Sequence, residues 1–377
     1  MKNLLFVALI VLVSCASYAQ NKALSHRSTN ESTVFVGTYT KNMGWVNGKA
    51  KGIYTCRMDN ATGALRVVDS TTDIQNPSFL TISPDKKYLY AVAENGGDPL
   101  ARFGSVVAYK ITEGGKLLRI NEMPSYGAAP CFISTDKKGK FVFVANYSTG
   151  TVASYKVKAD GGLTDSICMK RDEGEKPLAH QIFESPNGNA VFVVDKGADK
   201  IFTYAKSADG KLTLKNSVST AVGEGPRHFD LSPNLKFGYA INELGSTINA
   251  YAFDKATNGL KELQSISTLP SDFKGQNTTA EIFVHPNGRF VYGSNRGHNS
   301  IAIFKIKTDG TLEFVAYEPT QGNTPRNFMI TPNGKLLLVA NQNSDNVVAF
   351  SIDATTGKLT PTGKNNVIMT PVCLKMF

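Results

Sequence analysis

The sequence has no helical stretch of useful length, no low-complexity linker and no dense run of lysine and arginine. The first two absences leave strands as the building material and argue against a string of separately folded units. The third, with no aromatics interleaved among basic residues, excludes nucleic acid as an expected partner despite a net charge of +10. The excess base is compatible with anionic small molecules, an anionic surface or ordinary solubility. Cysteine is scarce. There are five, and Cys56, Cys131, Cys168 and Cys373 show neither CxxC nor paired spacing. That argues against a disulfide framework or a metal site and reads as small apolar core residues. The one long apolar run, Leu4 to Val13, is too short to span a bilayer.

That run is instead part of a targeting segment. Lys2 precedes it, and Ser17-Tyr18-Ala19 follows as a small-x-small cleavage signal before Gln20. Residues 1–19 therefore read as a signal peptide and 20–32 as a flexible leader. A second reading stays open. Leu12-Val13-Ser14-Cys15 resembles a bacterial lipobox, and acylated Cys15 would tether the protein to a membrane. Either route takes the chain out of the cytoplasm, to the periplasm or cell envelope. The sequence does not specify an oligomeric state.

What the chain has in abundance is one repeated stretch. Its clearest copy runs from Thr324 to Asn341: a short apolar strand, Pro332-Asn333-Gly334, and a second apolar strand ending in a polar residue. Pro presets one backbone angle, and Asn and Gly tolerate positive φ, so the tripeptide is a tight turn. The stretch recurs at Pro77 to Glu94, Pro130 to Tyr147, Ala179 to Lys196, Pro226 to Glu243 and Thr279 to Arg296. The turn position falls at 84, 137, 186, 233, 286 and 332, giving spacings of 53, 49, 47, 53 and 46. A strand-built repeat of that length means propeller blades. Each copy continues into a third strand, such as Ser105 to Ile111, then an Asp-Gly, Asn-Gly or Gly-containing turn and a fourth strand.

Six complete blades follow from these copies. Thr33 to Tyr39 matches the second strand of the repeat but has no first strand before it. Thr370 to Met376 matches the missing first strand. The chain ends therefore combine into a seventh blade, closing an all-β, seven-bladed propeller over residues 33–377. A closed ring leaves no open sheet array with exposed edges.

In a propeller the innermost strands line a central channel, and their starts meet the ends of the second strands on one face. Ligands bind where such loops converge. At the position six before the turn the copies read Ser78, Cys131, His180, Arg227, Ala280 and Arg326, with Val372 in the closing strand. One residue later they include His228 and Glu281. The second strands end at Tyr39, Glu94, Tyr147, Lys196, Glu243 and Arg296, preceded by Asn146 and its counterparts. Arg227 and Arg326 lie on different blades and could clamp a carboxylate or phosphate. Glu281 could act as general base, and His180 as acid or water-orienting group. Tyr39 and Tyr147 could stack on a sugar, with Glu94, Asn146, His228 and Arg296 completing the binding surface. Structural readings compete: Arg227 with Glu281 as a buried pair, His228, His285 and His298 as structural histidines, and the strand-end Asn residues as turn pins.

Phe35-Val36-Gly37-Thr38-Tyr39-Thr40, Ala145-Asn146-Tyr147, Gly225-Pro226-Arg227-His228, Ala280-Glu281-Ile282, Ser294-Asn295-Arg296 and Thr324-Pro325-Arg326-Asn327, in this order, resemble the seven-bladed-propeller lactonases. That family includes a bacterial type of 6-phosphogluconolactonase and the fungal carboxy-cis,cis-muconate cyclases. The resemblance implies hydrolysis or formation of a lactone without metal or organic cofactor. It places the active-site residues at His180, Arg227, Glu281 and Arg326, with Glu281 or His180 activating water and an arginine stabilising the oxyanion. The implied ligand is a small anionic lactone or sugar acid. A muconate-type cycloisomerase and a non-catalytic propeller that binds glycans or a protein remain alternatives. The export segment departs from the cytoplasmic pathway of 6-phosphogluconolactone, which leaves another lactone, or sugar binding without turnover, as the exported member's role.

Overall fold

The computed structural model describes residues 30–95 and 103–377. The expectations for the signal peptide and for Cys15 lie outside these residues. Seven four-stranded antiparallel sheets form the blades. Their innermost strands are Leu80–Ile82, Pro130–Thr135, Ala179–Glu184, Pro226–Leu231, Thr278–Val284, Pro325–Ile330 and Pro371–Met376. Each contacts the next around a closed ring. The last of them, at the C-terminus, pairs with Glu31–Thr38, which pairs in turn with Ile53–Asp59 and Leu65–Thr71. Blades one to six below are the complete ones, and the seventh is shared between the chain ends.

The boundaries differ slightly from expectation. The first strand begins at Glu31, inside the leader expected to end at 32, because Glu31 and Ser32 already pair with Asp59 and Met58. The closing strand begins at Pro371 rather than Thr370. Thr370 has φ 42°, outside the strand region.

Second strands such as Phe141–Asn146, Ala190–Asp195 and Leu336–Asn341 are buried at every position. Blades cover both of their faces, so these strands are continuous apolar runs rather than alternating ones. Each fully buried Phe, Ile or Val contributes about 1.5–3 kcal/mol. The outer hairpins lock neighbouring blades. Tyr90 Oη donates to Gly161 O at 3.0 Å, and Tyr239 to Gly310 O at 3.1 Å. Gly161 sits at φ 86°, and a Cβ there would come within 2.1 Å of Tyr88. The turn thus needs glycine for its backbone angle and again for its packing.

Candidate functional site

A recurring irregularity aims the site residues. The innermost strands skip a residue in their register between Pro130 and Phe132, Ala179 and Gln181, Pro226 and His228, Thr279 and Ile282, and Pro325 and Asn327. These are β-bulges, which release one residue from pairing and redirect its side chain. The residues freed are Cys131, His180, Arg227, the Ala280–Glu281 pair and Arg326. The repeat therefore presents unpaired side chains from five blades at the same end of the channel.

Two chambers lie there. A recess of about 10 Å³ is lined by Tyr39, Glu94, His180, Arg227, His228, Glu281 and Arg326, among others. That is near the space one water needs. Above it, a chamber of about 410 Å³ is walled by Met43, Trp45, Tyr147, Glu243 and Arg296. Glu94, Cys131, His180 and Arg326 line both, so the two communicate.

Glu243 is the ionic hub. Its Oε1 lies 2.6 Å from Lys196 Nζ, and its Oε2 lies 3.0 Å from Arg227 Nε and 3.1 Å from an Arg296 amine. Burial would raise its pKa, but Arg296, Arg227 and Lys196 pull it down to about 2. The Arg227 Nε contact lacks hydrogen-bond alignment, and this buried N–H has no other partner. Arg227 Nη1 donates to Ala280 O at 2.6 Å. Burial, then the nearby Arg326, lowers the Arg227 pKa, and burial brings Arg296 down to about 9.

Across the chamber Tyr39 Oη donates to Glu94 at 2.7 Å, and an Arg326 amine donates to Tyr39 Oη at 3.2 Å. The Arg326 guanidinium lies 5.0 Å from the Trp45 ring centre and 5.5 Å from that of Tyr39. Burial lifts Glu94 above the usual carboxylate range, although Arg326 opposes the shift. Four cations, Lys196, Arg227, Arg296 and Arg326, thus face three carboxyl groups, Glu94, Glu243 and Glu281.

Deepest in the recess, His228 Nδ1 and Glu281 Oε1 are 2.6 Å apart. Asn327 donates to Glu281 Oε2, and Ile282 N donates to Oε1 at 3.1 Å. Burial holds His228 below its ordinary pKa. Burial would raise Glu281, but His228 and Arg227 keep it below the carboxylate range. The pair therefore holds one proton, on His228 Nδ1, donated to an ionised Glu281. His180 is neutral as well, lowered well below its usual value by burial and Arg227. Its ring centre is 5.1 Å from that of His228, and its Nδ1 has no partner.

Of the ten residues singled out in the sequence, nine line these chambers: His180, Arg227, Glu281, Arg326, Tyr39, Glu94, Tyr147, His228 and Arg296. Asn146 does not. It is fully buried, and its Nδ2 donates to Ser125 O at 2.9 Å and Thr151 Oγ1 at 3.1 Å. It pins a loop, as a strand-end Asn does by turn chemistry, and has no surface to offer a ligand. Arg227 pairs with Glu243 rather than directly with Glu281. His285 bonds Gly334 O and His298 bonds Ser300, both away from the chambers. Glu243 and Lys196 stood in the aligned strand-end column without being singled out. Their alternating signs on adjacent blades were the available signal. Trp45 belongs to the connection between Thr38 and Ile53, which is much longer than the turns at the same place in blades two to six. Among the described residues no three or more His, Cys, Asp or Glu side chains group as metal ligands.

The lactonase family described as a 7-bladed β-propeller matches residues 33–376. A 6-phosphogluconolactonase of Bacillus subtilis is 35% identical over 352 residues, covering 91% of this chain and 97% of the relative. One from Formosa agariphila is 34% identical over 361 residues, covering 91% and 99%. The solved periplasmic gluconolactonase of Pseudomonas aeruginosa superposes with a TM-score of 0.83 at 31% identity, covering 92% of this chain and 99% of that one.

Proposed function

The chain belongs to the lactonase family of seven-bladed β-propellers, and from that premise we propose that it is an exported, metal-independent hydrolase of a sugar-acid lactone. The observation that carries this reading is the delivery of His180, Arg227 and Arg326 from blades three, four and six to two communicating chambers. The larger chamber takes the lactone ring, with Trp45 and Tyr147 as its aromatic walls. The recess takes one water. Neutral His180 accepts a proton as the water oxygen adds to the lactone carbonyl carbon. Arg227 and Arg326 stabilise the oxyanion, and they are held in place beforehand by Glu243 and by Tyr39 with Trp45. The ring C–O bond then breaks, the departing alkoxide takes the proton back from His180, and the hydroxy acid leaves, losing its carboxyl proton to solvent.

Of the two expected candidates for the base, His180 and Glu281, His180 takes that role and Glu281 a positioning part. Both its oxygens are occupied by His228, Ile282 and Asn327, so it fixes the His228 tautomer and positions that ring under the recess. Export is consistent with residues 1–19 and with the periplasmic location stated for the Pseudomonas relative. It favours an unphosphorylated substrate such as a gluconolactone. The test is a panel of 6-phosphogluconolactone, gluconolactone and a muconolactone, with spontaneous hydrolysis subtracted. Wild type should exceed background at least on a sugar lactone, and Arg227→Ala should not. Wild-type rates equal to background across the panel would remove the proposal.

A further inference from the structure

One blade junction sets two acidic residues against each other. At three others, a residue following an outer strand accepts from the Asn that ends the next blade's second strand. Asn146 Nδ2 donates to Ser125 O at 2.9 Å, Asn295 to Thr268 O at 2.8 Å and Asn341 to Thr320 O at 3.0 Å. Thr220 and Asn242 occupy the same places between blades three and four. Between blades two and three, both positions are acidic: Asp172 follows the strand Leu163–Arg171, and Asp195 ends Ala190–Asp195. A carboxylate has no N–H to donate, so the neighbouring solution is closed to this junction unless a proton is supplied.

Both side chains are buried, at 2% and 0% exposure. Asp172 Oδ1 accepts from Tyr204 Oη at 2.6 Å. Asp195 Oδ1 accepts from Leu178 N at 2.7 Å, Gly197 N at 2.9 Å and Ala198 N at 2.8 Å. The remaining oxygens, Asp172 Oδ2 and Asp195 Oδ2, are both buried and without a donor. By the repeat, Asp172 stands against Asp195 as Ser125, Thr268 and Thr320 stand against their Asn partners, which brings the two carboxyl groups together. Two ionised carboxylates in that arrangement would repel in a poorly solvated space.

We infer that Asp172 and Asp195 share one proton, Asp172 Oδ2–H donating to Asp195 Oδ2, and that this bridge positions the chain segments carrying His180 and Lys196. The three N–H groups on Asp195 Oδ1 favour Asp195 as the ionised partner. Burial, with Asp195 beside it, pushes Asp172 up to about 8. The other groups facing the pair are Tyr204, Arg171, whose charge opposes that rise, and Glu173, which acts on Tyr204. The link to the site is short. Leu178, held by Asp195, lies two residues before His180, and Lys196 N donates to Leu178 O at 3.1 Å. Lys196 in turn holds Glu243 and donates to Tyr147 Oη at 3.0 Å. Asp172 and Asp195 are thus positioning residues, and the proton takes the place of the amide hydrogen used at neighbouring junctions.

The sign follows from linkage. The folded pair binds a proton that the unfolded chain releases near pH 4, so the bridge's contribution is complete below that pH and is lost as pH rises through about 8. The experiment compares wild type with Asp172→Thr/Asp195→Asn, which rebuilds the Thr268–Asn295 arrangement, and with Asp172→Asn alone. The wild-type Tm should fall relative to the double variant from about pH 5 to 8 and then run parallel. Above pH 8, the Leu178, Gly197 and Ala198 amides should exchange faster in wild type than in the double variant. If the double variant fails to fold, Asp172→Asn makes the same comparison, because its amide can donate to Asp195 without a titrating proton. Parallel Tm curves throughout, with equal amide exchange, would overturn the inference. The effect on turnover rests on the proposed lactonase site, but these two readouts do not. Absence of lactone hydrolysis with a pH-linked Tm would sink the function and leave the bridge standing.

Discussion

The two ends of the channel both bury ion pairs, and they use them differently. At the turn end, Lys206 Nζ lies 2.7 Å from Glu184 and 3.7 Å from Asp136. The same carboxylates take backbone donors from adjacent turns: Lys140 N and Phe141 N on Asp136, and Lys137 N on Glu184. Backbone donors close off the carboxylates there, and these residues line neither chamber. At the bulged end, Glu243 is held by Lys196, Arg227 and Arg296 from three blades, and the group opens onto a chamber of about 410 Å³. Buried charge tied to nearby backbone staples the fold. Buried charge that faces a cavity is arranged to meet something that arrives.

Substitution should separate the two ends. The largest contrast is expected between His180→Gln and Lys206→Met. The first should lower kcat on the responsive lactone by roughly 10²–10⁴-fold with a nearly unchanged melting transition. The second should cost about 3–5 kcal/mol in denaturant unfolding, by leaving Asp136 and Glu184 unpaired, with kcat retained in the folded fraction. If His180→Gln unfolds the protein and retains kcat, the bulged end is structural too. Arg227→Ala comes next, with a loss of roughly 10²–10³-fold in kcat. Glu281→Gln should lose less than Arg227→Ala if Glu281 only orients His228. An equal or larger loss would return Glu281 to the role of base.

A pH profile sharpens the same contrast. Burial and Arg227 hold His180 well below its ordinary value, so kcat/KM should show no acid limb near pH ~6.5, where a free histidine would titrate. An acid limb there would mean that the imidazole is solvated. Glu243, depressed to about 2, stabilises the folded state fully above the normal glutamate range and loses that contribution as pH falls toward 2. Glu243→Gln should therefore flatten the fall of Tm on acidification. The smallest effect belongs to Trp45→Ala. Loss of its cation–π contact with Arg326, worth ~0.5–1 kcal/mol, should raise KM about two- to fivefold. Trp45 is the only tryptophan in the chain, so substrate binding should change the intrinsic fluorescence of wild type directly.

The fold was legible because its signals are local and repeated. Pro332-Asn333-Gly334, the Asp-Gly and Asn-Gly turns and the apolar pairs of strands each specify a hairpin on their own, and their period adds up to blades. Most of the site was legible for the same reason, since equivalent positions in a ring must meet at one end. Failures came where a side chain's direction depends on its neighbours. Asn146 and Asp195 occupy the same register position as the pins around them, so column comparison could not tell a wall from a pin. Trp45 lies in an inserted loop outside the repeated stretch, where column comparison does not reach.

The amino-acid order by itself determined the strand pattern, the sevenfold count, closure by the terminal strand and which columns of residues share a level along the axis. These follow from short-range backbone preferences and from a period that admits few closed solutions. Only the tertiary structure decided which charge answers which: Glu243 against three cations, Glu281 committed to His228 and Asn327, and Asp172 facing Asp195 without an intervening donor. Such pairings depend on angles between blades and on exclusion of water, and no single stretch of chain carries either.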